Sequence, residues 1–454
     1  MKKDYNKTLI RGASVLALGT FLSKLLGVFY RIPLTNLLGA EGLGVYQMIF
    51  PVYALLLDFA GCGVPNAISK LVATEIDNKE VKAKKYLIAS IKLFAVFGTI
   101  CFLFMLLFSS SISNLQGNEN AKLGYILLSP AVLIVSLISC FRGYFQGLMN
   151  MKPTAISQII EQTVKIFLGL ILIKFSSKNL EKMVGRATLA ITVAEAVALI
   201  YLLIVYLRKN RNNSKQLFIL KKEYSLLNKT LLKTTIPITL VSIILPLSQV
   251  IDSFLIINLI SKYSNLATTL YGILSGVVLT VINLPVSICH AVSTVSIPSV
   301  SSSSDNIEQN RRAQKSIYLT LFLAIPSGIF CYYFAPFIIK LLFKRLSFEE
   351  NIIAVNLLKL TSPCVILLSL LQTLNAILIG KGKLYAPVVT LLIGVFIKTI
   401  LNLVLLNKQS LNIYAGGISL IACYFVSCLV NLILIFKLKV KNANARNFNR
   451  EYAS

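Results

Sequence analysis

The stretch Tyr125 to Gln162, YILLSPAVLIVSLISCFRGYFQGLMNMKPTAISQIIEQ, decides the fold of this chain of 454 residues. Its first part, Tyr125 to Phe141, has no charged residue and is about seventeen residues long, enough for a helix to cross the hydrocarbon core of a bilayer. Its second part begins at Arg142 and leads into another apolar run, 154–175. The stretch therefore predicts two membrane helices joined by a short basic turn.

The same pattern continues over the rest of the chain. The residues AVILMFWYC make up 56% of it and DEKR only 14%, whereas soluble domains are usually about 25% charged. We predict an all-α polytopic membrane protein of about twelve transmembrane helices, near 13–30, 44–70, 86–109, 123–141, 154–175, 187–207, 235–260, 266–298, 316–339, 352–379, 385–406 and 413–436.

The formal net charge is +28, but most of the basic residues lie in short loops on the side of the N-terminus. The positive-inside rule then places both termini in the cytoplasm. Membrane topology accounts for this excess better than nucleic-acid binding, so we expect no nucleic-acid partner. The first apolar run, Ala13 to Tyr30, has no cleavage site of small residues, and we interpret it as a mature helix.

The longest basic connection divides the chain into two halves of six helices. We predict an N-terminal lobe at 1–207, a basic cytoplasmic linker at 208–234, a C-terminal lobe at 235–436 and a basic tail at 437–454. A weak internal repeat, with Tyr46 and Asp77-Asn78 echoed by Tyr271 and Asp305-Asn306, supports the division. Two such lobes with a site between them are typical of alternating-access transporters.

Ionisable residues within membrane helices are costly and usually face a wet cavity or a partner. Lys24 and Arg31 lie seven residues apart, on one helix face that suits a diphosphate; alternatively, Arg31 marks the outer interface. Asp252 occupies nearly the equivalent place in the second half. The other intramembrane charges are Asp58, Lys92, Glu161, Lys165, Glu195, Lys359 and Lys398.

Several of these charges also have a structural interpretation. Lys92 and Lys359 lie near helix ends and can extend to the interface. Glu161 and Lys165 are four residues apart in the order that favours a neutralising pair. Asp58, Glu161 and Glu195 nevertheless remain candidates for coupling or gating.

Enzyme-like motifs are missing from the sequence. The chain has one histidine, His290, which argues against clustered-histidine metal sites and catalytic triads. Gly380-Lys381-Gly382-Lys383 lacks the spacing of a Walker loop and predicts a tight turn. Eight cysteines without a CxxC pair indicate buried thiols. We expect a transporter with no cofactor.

Four stretches resemble the SpoVB/YtgP family of bacterial polysaccharide-biosynthesis proteins, which is grouped with the MurJ lipid II flippases and the MATE exporters. They are Leu22 to Tyr53, Arg142 to Gln162, Ile236 to Asp252 and Leu270 to Pro285. The resemblance implies a V-shaped, two-lobe fold in the bacterial cytoplasmic membrane. It also implies a flippase that moves an undecaprenyl-diphosphate-linked peptidoglycan precursor or oligosaccharide outward, with Lys24 and Arg31 of SKLLGVFYR holding the diphosphate.

The sequence departs from that pattern at two places. The second-helix arginine of the flippases falls at Leu56-Leu57, and the charged positions of their eighth helix fall near Leu279, Thr280 and Asn283. Arg142, Lys165 and Lys398 are then the cations that would compensate. The relatives usually carry two further C-terminal helices that house the lipid tail.

The sequence leaves three functions open. The first is a flippase that works by alternating access, driven by membrane potential, H⁺ or Na⁺, with membrane lipids and cell-wall synthesis proteins as its other partners. The second is a MATE-type cation-coupled drug or metabolite antiporter, which would use Asp58, Asp252 and Glu195. The third is a membrane scaffold that does not transport. General wall growth and sporulation are both open as the setting.

Overall fold

A computed structural model describes residues 2–61, 63–73, 79–176, 179–210, 221–301, 306–383 and 385–451. These residues are almost entirely helical, which confirms the predicted fold class. The helices are α1 Lys2–Gly61, α2 Val64–Ala73, α3 Lys79–Leu107, α4 Ser109–Leu115, α5 Lys122–Gly147, α6 Lys152–Lys174, α7 Leu180–Asn210, α8 Lys221–Ser242, α9 Ile244–Ile260, α10 Ala267–Gly272, α11 Leu279–Ser301, α12 Asn306–Tyr333, α13 Ala335–Leu342, α14 Phe348–Thr361, α15 Pro363–Gly380, α16 Ala386–Leu405 and α17 Tyr414–Glu451.

Ten helical segments of the described chain are long and apolar enough to cross a membrane, or eleven with one bent pair. The first of them, Leu25–Val72, has 48 residues, or about 72 Å of helix at about 1.5 Å per residue. That is more than twice the hydrocarbon thickness of about 30 Å. Gly39, with φ 73° and ψ 178°, interrupts α1, so this segment contains the end of the first predicted helix, 13–30, and all of the second, 44–70.

Proline explains two of the other breaks. α8 and α9 are bent by 45°, and Pro246 lacks the N–H that would bond the carbonyl of Ser242 across the bend. Pro363 opens α15 and separates it from α14, so the helix predicted at 352–379 is two helices. The turn predicted at Gly380–Lys383 is present, with Gly382 at φ 80°.

The described chain forms two compact units, Met1–Ser253 and Phe254–Ser454. The predicted lobe boundaries and the cytoplasmic placement of the termini stay predictions. Of the predicted linker, residues 211–220 lie outside the described residues, and α8 begins within it at Lys221. The repeat positions Asp77-Asn78 and Asp305 also lie outside the described residues.

The first unit is built around α5, which packs against α2, α3 and α7. Gly143 and Gly147 permit the contact with α2: an added Cβ would lie 3.0 Å from Pro65 Cα and 2.6 Å from Val72 Cβ, respectively. Between these glycines, the Tyr144 ring packs edge-on against Tyr206 at 5.4 Å. Because lipid supplies no hydrophobic driving force between helices, small residues stabilise such a contact by letting the two backbones pack closely.

The second unit combines close packing with buried hydroxyl groups. The Thr373 hydroxyl of α15 lies 3.1 Å from Ser293 of α11 and 2.8 Å from Thr320 of α12. All three side chains are buried. Hydroxyl pairs of this kind satisfy polar atoms that hydrocarbon cannot.

Candidate functional site

Five of the predicted site residues come together inside the first unit and form what we call the charge cluster: Arg31, Arg142, Glu161, Lys165 and Glu195. They lie on α1, α5, α6 and α7. Each is an electrostatic neighbour of at least one other member. All lie on candidate membrane spans, where an isolated charge would cost about 2.5–3.5 kcal/mol on insertion scales.

An ion pair anchors one side of the charge cluster. Arg142 Nη2 donates to Glu161 Oε2 at 3.0 Å, and the two side chains are only 15% and 17% exposed. Arg142 Nε donates to Ser157 Oγ at 3.1 Å, and Gln162 Nε2 donates to Glu161 Oε1 at 2.9 Å. Both carboxylate oxygens are therefore engaged. Glu161 makes its hydrogen-bonded pair with Arg142 of the preceding helix, and Lys165, one turn away, interacts with it at longer range.

The other side of the charge cluster is cationic and aromatic. Lys165 Nζ lies 5.9 Å from the ring centroid of Tyr30. Arg31 is an electrostatic neighbour of both Lys165 and Tyr46. The Tyr30 ring lies against Gly169 on α6, where an added Cβ would come within 3.0 Å of Tyr30 Cζ. A cation over an aromatic face keeps a favourable electrostatic partner without an ion pair.

Glu195 lies deepest in the charge cluster, with 7% of its surface exposed. Its Oε2 atom has no hydrogen-bond partner among the described residues, and the same holds for Tyr30 Oη, Tyr53 Oη and Gln162 Oε1. A buried polar atom without a partner costs about 1–3 kcal/mol. Tyr53 is an electrostatic neighbour of both Glu195 and Glu161, which links these atoms to one polar region.

The other predicted site residues are Lys24, Asp58, Asp252 and Lys398. The side chain of Lys24 lies outside the part of the chain that the structure describes. Asp58 and Asp252 are half-buried in the first unit, and each has an interaction partner. Lys398 is 5% exposed and belongs to the second unit, within α16.

Sequence reasoning missed a second polar network in the first unit. The buried Gln116 Nε2 donates to Met48 O at 3.2 Å and to Ser253 Oγ at 3.0 Å. The Tyr125 hydroxyl donates to Gln116 Oε1 and, at 3.1 Å, to Met48 O. Gln116 is a polar residue of a connection between apolar runs, and such residues are usually exposed, so no local signal marks it. Tyr30, Tyr46 and Tyr53 interact with members of the charge cluster, and they were missed because aromatic residues in apolar runs usually indicate core packing.

The charge cluster contains three cations and two carboxylates, and one carboxylate is engaged by Arg142. Its chemistry therefore suits an anion or a charge-balancing ion in a desolvated setting, where electrostatic interactions are strengthened. Among the residues that the structure describes, no group of three or more His, Cys, Asp and Glu side chains is arranged to hold a metal ion.

Comparison with known proteins identifies the class of this protein. The family model described as "Polysaccharide biosynthesis protein" matches residues 9–304, and the MatE model matches residues 237–404. The first match covers more than half of the chain. The chain belongs to the polysaccharide biosynthesis protein family and is a multi-pass membrane transporter of the MOP superfamily.

Individual relatives agree with this assignment. The chain is 30% identical to the lipid II flippase MurJ of Bacillus subtilis over 428 residues, which are 88% of this chain and 77% of that protein. It is 26% identical to stage V sporulation protein B of the same organism over 426 residues, 91% and 80% of the two chains.

Solved structures support the fold. An inward-facing MATE multidrug resistance transporter matches with a TM-score of 0.79 at 14% identity, covering 95% of this chain and 98% of that one. A MurJ structure in an inward closed conformation matches with a TM-score of 0.73 at 16% identity, covering 92% and 87%. At these identities the structures show a shared fold.

Proposed function

We propose that the chain is a flippase that moves an undecaprenyl-diphosphate-linked peptidoglycan precursor or a related oligosaccharide across the cytoplasmic membrane. The observation that carries the proposal is the cationic side of the charge cluster, where Arg31 and Lys165 lie together within membrane spans. The 30% identity to a lipid II flippase over most of the chain supports the same substrate class.

In this proposal, the charge cluster acts on the diphosphate of the lipid-linked sugar. Arg31 offers a planar fork suited to phosphate oxygens, and Lys165 adds a compact charge. Lys24 precedes Arg31 by two helical turns and Lys398 belongs to the second unit; we keep both, with Asp252, as candidate cavity residues. Alternating access then exposes the headgroup on the other side, while the polyprenyl tail stays in lipid. No covalent bond changes.

Glu195 is the strongest candidate for coupling. It is a buried carboxylate with one oxygen that lacks a hydrogen-bond partner among the described residues, beside a second carboxylate, Glu161, that Arg142 already neutralises. Binding of H⁺ or Na⁺ there would offset the charge of Glu195. Membrane potential is an alternative drive, since one charge crossing 100 mV is worth about 2.3 kcal/mol.

A MATE-type antiporter is the second candidate, and a specific observation favours it. The MatE model matches 237–404, and the MATE structure fits at the TM-score of 0.79. An antiporter would depend on carboxylates such as Glu195, Asp58 and Asp252 and would tolerate loss of the cations.

A reconstituted system separates the two functions. The full chain is placed in proteoliposomes with a fluorescent lipid-linked precursor, and exposure of the headgroup on the far leaflet is measured. Arg31→Gln and Lys165→Gln are each expected to slow flipping about tenfold to a hundredfold, because a hydrogen bond to a charged group is worth about 1.5–3 kcal/mol.

Arg208→Gln is the matched control, because Arg208 is an exposed arginine at the end of α7, and it is expected to flip precursor at the unmodified rate. Uptake of a drug cation without precursor flipping would establish the antiporter instead. Vesicles that transport neither would refute both functions and leave the scaffold.

A further inference from the structure

The first unit contains an apolar groove whose walls include no residue of the charge cluster. It has a volume of about 620 Å³ and lies between α1, α3 and α8, with walls that include Phe59, Phe97, Phe104, Ile236 and Leu240. This volume falls within the roughly 300–1,000 Å³ of small-molecule sites. Four of these five side chains are 45–62% exposed, so the groove opens sideways from the helices.

The groove offers few polar groups to an occupant. Thr235, on the wall, donates to Leu231 O of its own helix at 2.8 Å. The remaining wall is almost wholly hydrocarbon, and the helices that form it belong to candidate membrane spans. An occupant therefore has to be a hydrocarbon chain supplied by the bilayer.

The length of the groove matches one leaflet. On α3 its wall runs from Phe94 to Phe104, about 15 Å at about 1.5 Å per residue. The hydrocarbon core of a bilayer is about 30 Å thick. The groove therefore has the length of an acyl chain of one leaflet, whereas a long polyprenyl tail would extend far beyond it.

Basic side chains lie at one end of the groove. Lys229, Lys233, Ile236 and Leu240 share one face of α8, since their spacings are four, three and four residues, and all four are exposed. On α3, Lys92 Nζ lies 5.4 Å from the ring centroid of Tyr224 on α8, which brings a third lysine to this end. The face thus passes from positive charge to exposed hydrocarbon within three helical turns.

We propose that the groove binds an anionic phospholipid, with its phosphate at Lys229, Lys233 and Lys92 and one acyl chain between α1, α3 and α8. Basic groups between membrane helices are a known means of selecting anionic headgroups. The lipid would pack against α8 just before its bend at Ile243, a wall residue of the groove. This site is independent of the proposed transport substrate.

The absence of tryptophan from the chain permits a direct test. Phe97→Trp places a single fluorophore on the groove wall, and Phe167→Trp, on the exposed surface of α6, reports on bulk lipid. The full-length variants are reconstituted with dibrominated phosphatidylglycerol or dibrominated phosphatidylcholine at equal mole fraction. We expect phosphatidylglycerol to quench the groove tryptophan more strongly, and the two lipids to quench the control equally.

Lysine substitutions then test the headgroup contacts. Adding Lys229→Gln and Lys233→Gln to Phe97→Trp should weaken the preference for phosphatidylglycerol roughly twenty-fivefold, about fivefold for each lysine. Adding Lys262→Gln and Lys408→Gln, two exposed lysines of the second unit, should leave it unchanged. Native mass spectrometry on the chain with its groove phenylalanine intact repeats the comparison, so a folding defect of the tryptophan variant does not decide the outcome.

Equal quenching by the two lipids at Phe97→Trp would overturn the proposal, as would a preference that survives loss of both lysines. Displacement of phosphatidylglycerol by undecaprenyl phosphate at equal mole fraction would assign the groove to the polyprenyl lipid and equally overturn it. Precursor flipping in the same vesicles is scored separately, so failure of the transport proposal is distinguishable from failure of this one.

Discussion

The Arg142–Glu161 pair gives the sharpest test of the charge cluster. At 3.0 Å and an effective dielectric constant of about 20, the attraction between two unit charges is about 5–6 kcal/mol. Removing one partner of a buried pair usually costs about 3–5 kcal/mol, because the other charge stays buried. We expect Arg142→Met and Glu161→Gln each to lower the free energy of unfolding by about 3 kcal/mol, since Glu195 and Lys165 remain nearby.

The double variant measures the coupling between the two side chains. Arg142→Met with Glu161→Gln leaves neither charge isolated, so its loss of stability should fall short of the sum of the single losses by about 2–3 kcal/mol. The free energies are measured by titrating the detergent-solubilised chain with SDS and following helicity.

An exposed pair of the same length is the control. Arg312 Nε and Glu308 Oε1 are also 3.0 Å apart, but their side chains are 34% and 39% exposed. The matching cycle there should give about 0.3–0.5 kcal/mol. If the Arg142–Glu161 losses add to within about 0.5 kcal/mol, or if both cycles give the same coupling, burial does not determine the strength of the pair and the reasoning is refuted.

Three further changes have defined outcomes. Gln116→Leu removes the donor to Met48 O and Ser253 Oγ, and it should lower stability in the same SDS titration by about 1–3 kcal/mol; no loss would mean that the network does not hold these segments. Gly394→Ala should lower the free energy of unfolding by about 1–3 kcal/mol, because the new Cβ would lie 2.7 Å from Cys423 O. Gly328→Ala is the control and should lower it less, because its new Cβ meets a flexible Ile366 side chain at 3.2 Å. In a Cys62→Ser background, the seven remaining cysteines are buried and should react with maleimide only after unfolding; rapid labelling of the folded chain would contradict their burial.

The fold was largely predictable because membrane helices depend on little more than the length of an apolar run. The runs at 123–141 and 187–207 fall within single helices of the structure, and the runs at 86–109 and 154–175 extend only two residues and one residue past the ends of α3 and α6. The breaks were harder to predict, since a proline such as Pro130 stays inside a helix while Pro363 begins one. Whether neighbouring helices replace the lost hydrogen bond decides between these outcomes, and that is a property of the assembled bundle.

The sequence identified the residues of the charge cluster as candidates, but it did not predict which of them form an ion pair. Charges in apolar runs are rare enough to single out Glu161, Lys165 and Glu195 from the sequence, whereas Arg142 was expected in a basic turn and became a candidate only through the departures from the family pattern. Spacing alone favours Glu161 with Lys165, since they are one turn apart. The short turn between α5 and α6 instead brings Arg142 beside Glu161, a contact across nineteen residues that no helical periodicity indicates.

The Arg142–Glu161 ion pair lets us rank the cations of the proposed flippase by how readily each could bind a diphosphate. Arg142 is engaged by Glu161 and Ser157, so an incoming diphosphate would have to break a buried ion pair before it gained that side chain. Lys165 makes no close ion pair among the described residues. The Tyr30 ring lies 5.9 Å from its Nζ atom, and Glu161 and Glu195 interact with it at longer range, so weaker contacts compete with phosphate for this side chain. We therefore expect Lys165→Gln to weaken precursor binding more than Arg142→Gln, although Arg142→Gln should destabilise the fold more. Binding of fluorescent precursor in detergent, compared with unfolding of the same two variants, checks this order; a larger binding loss for Arg142→Gln would show that the pair opens in the bound state.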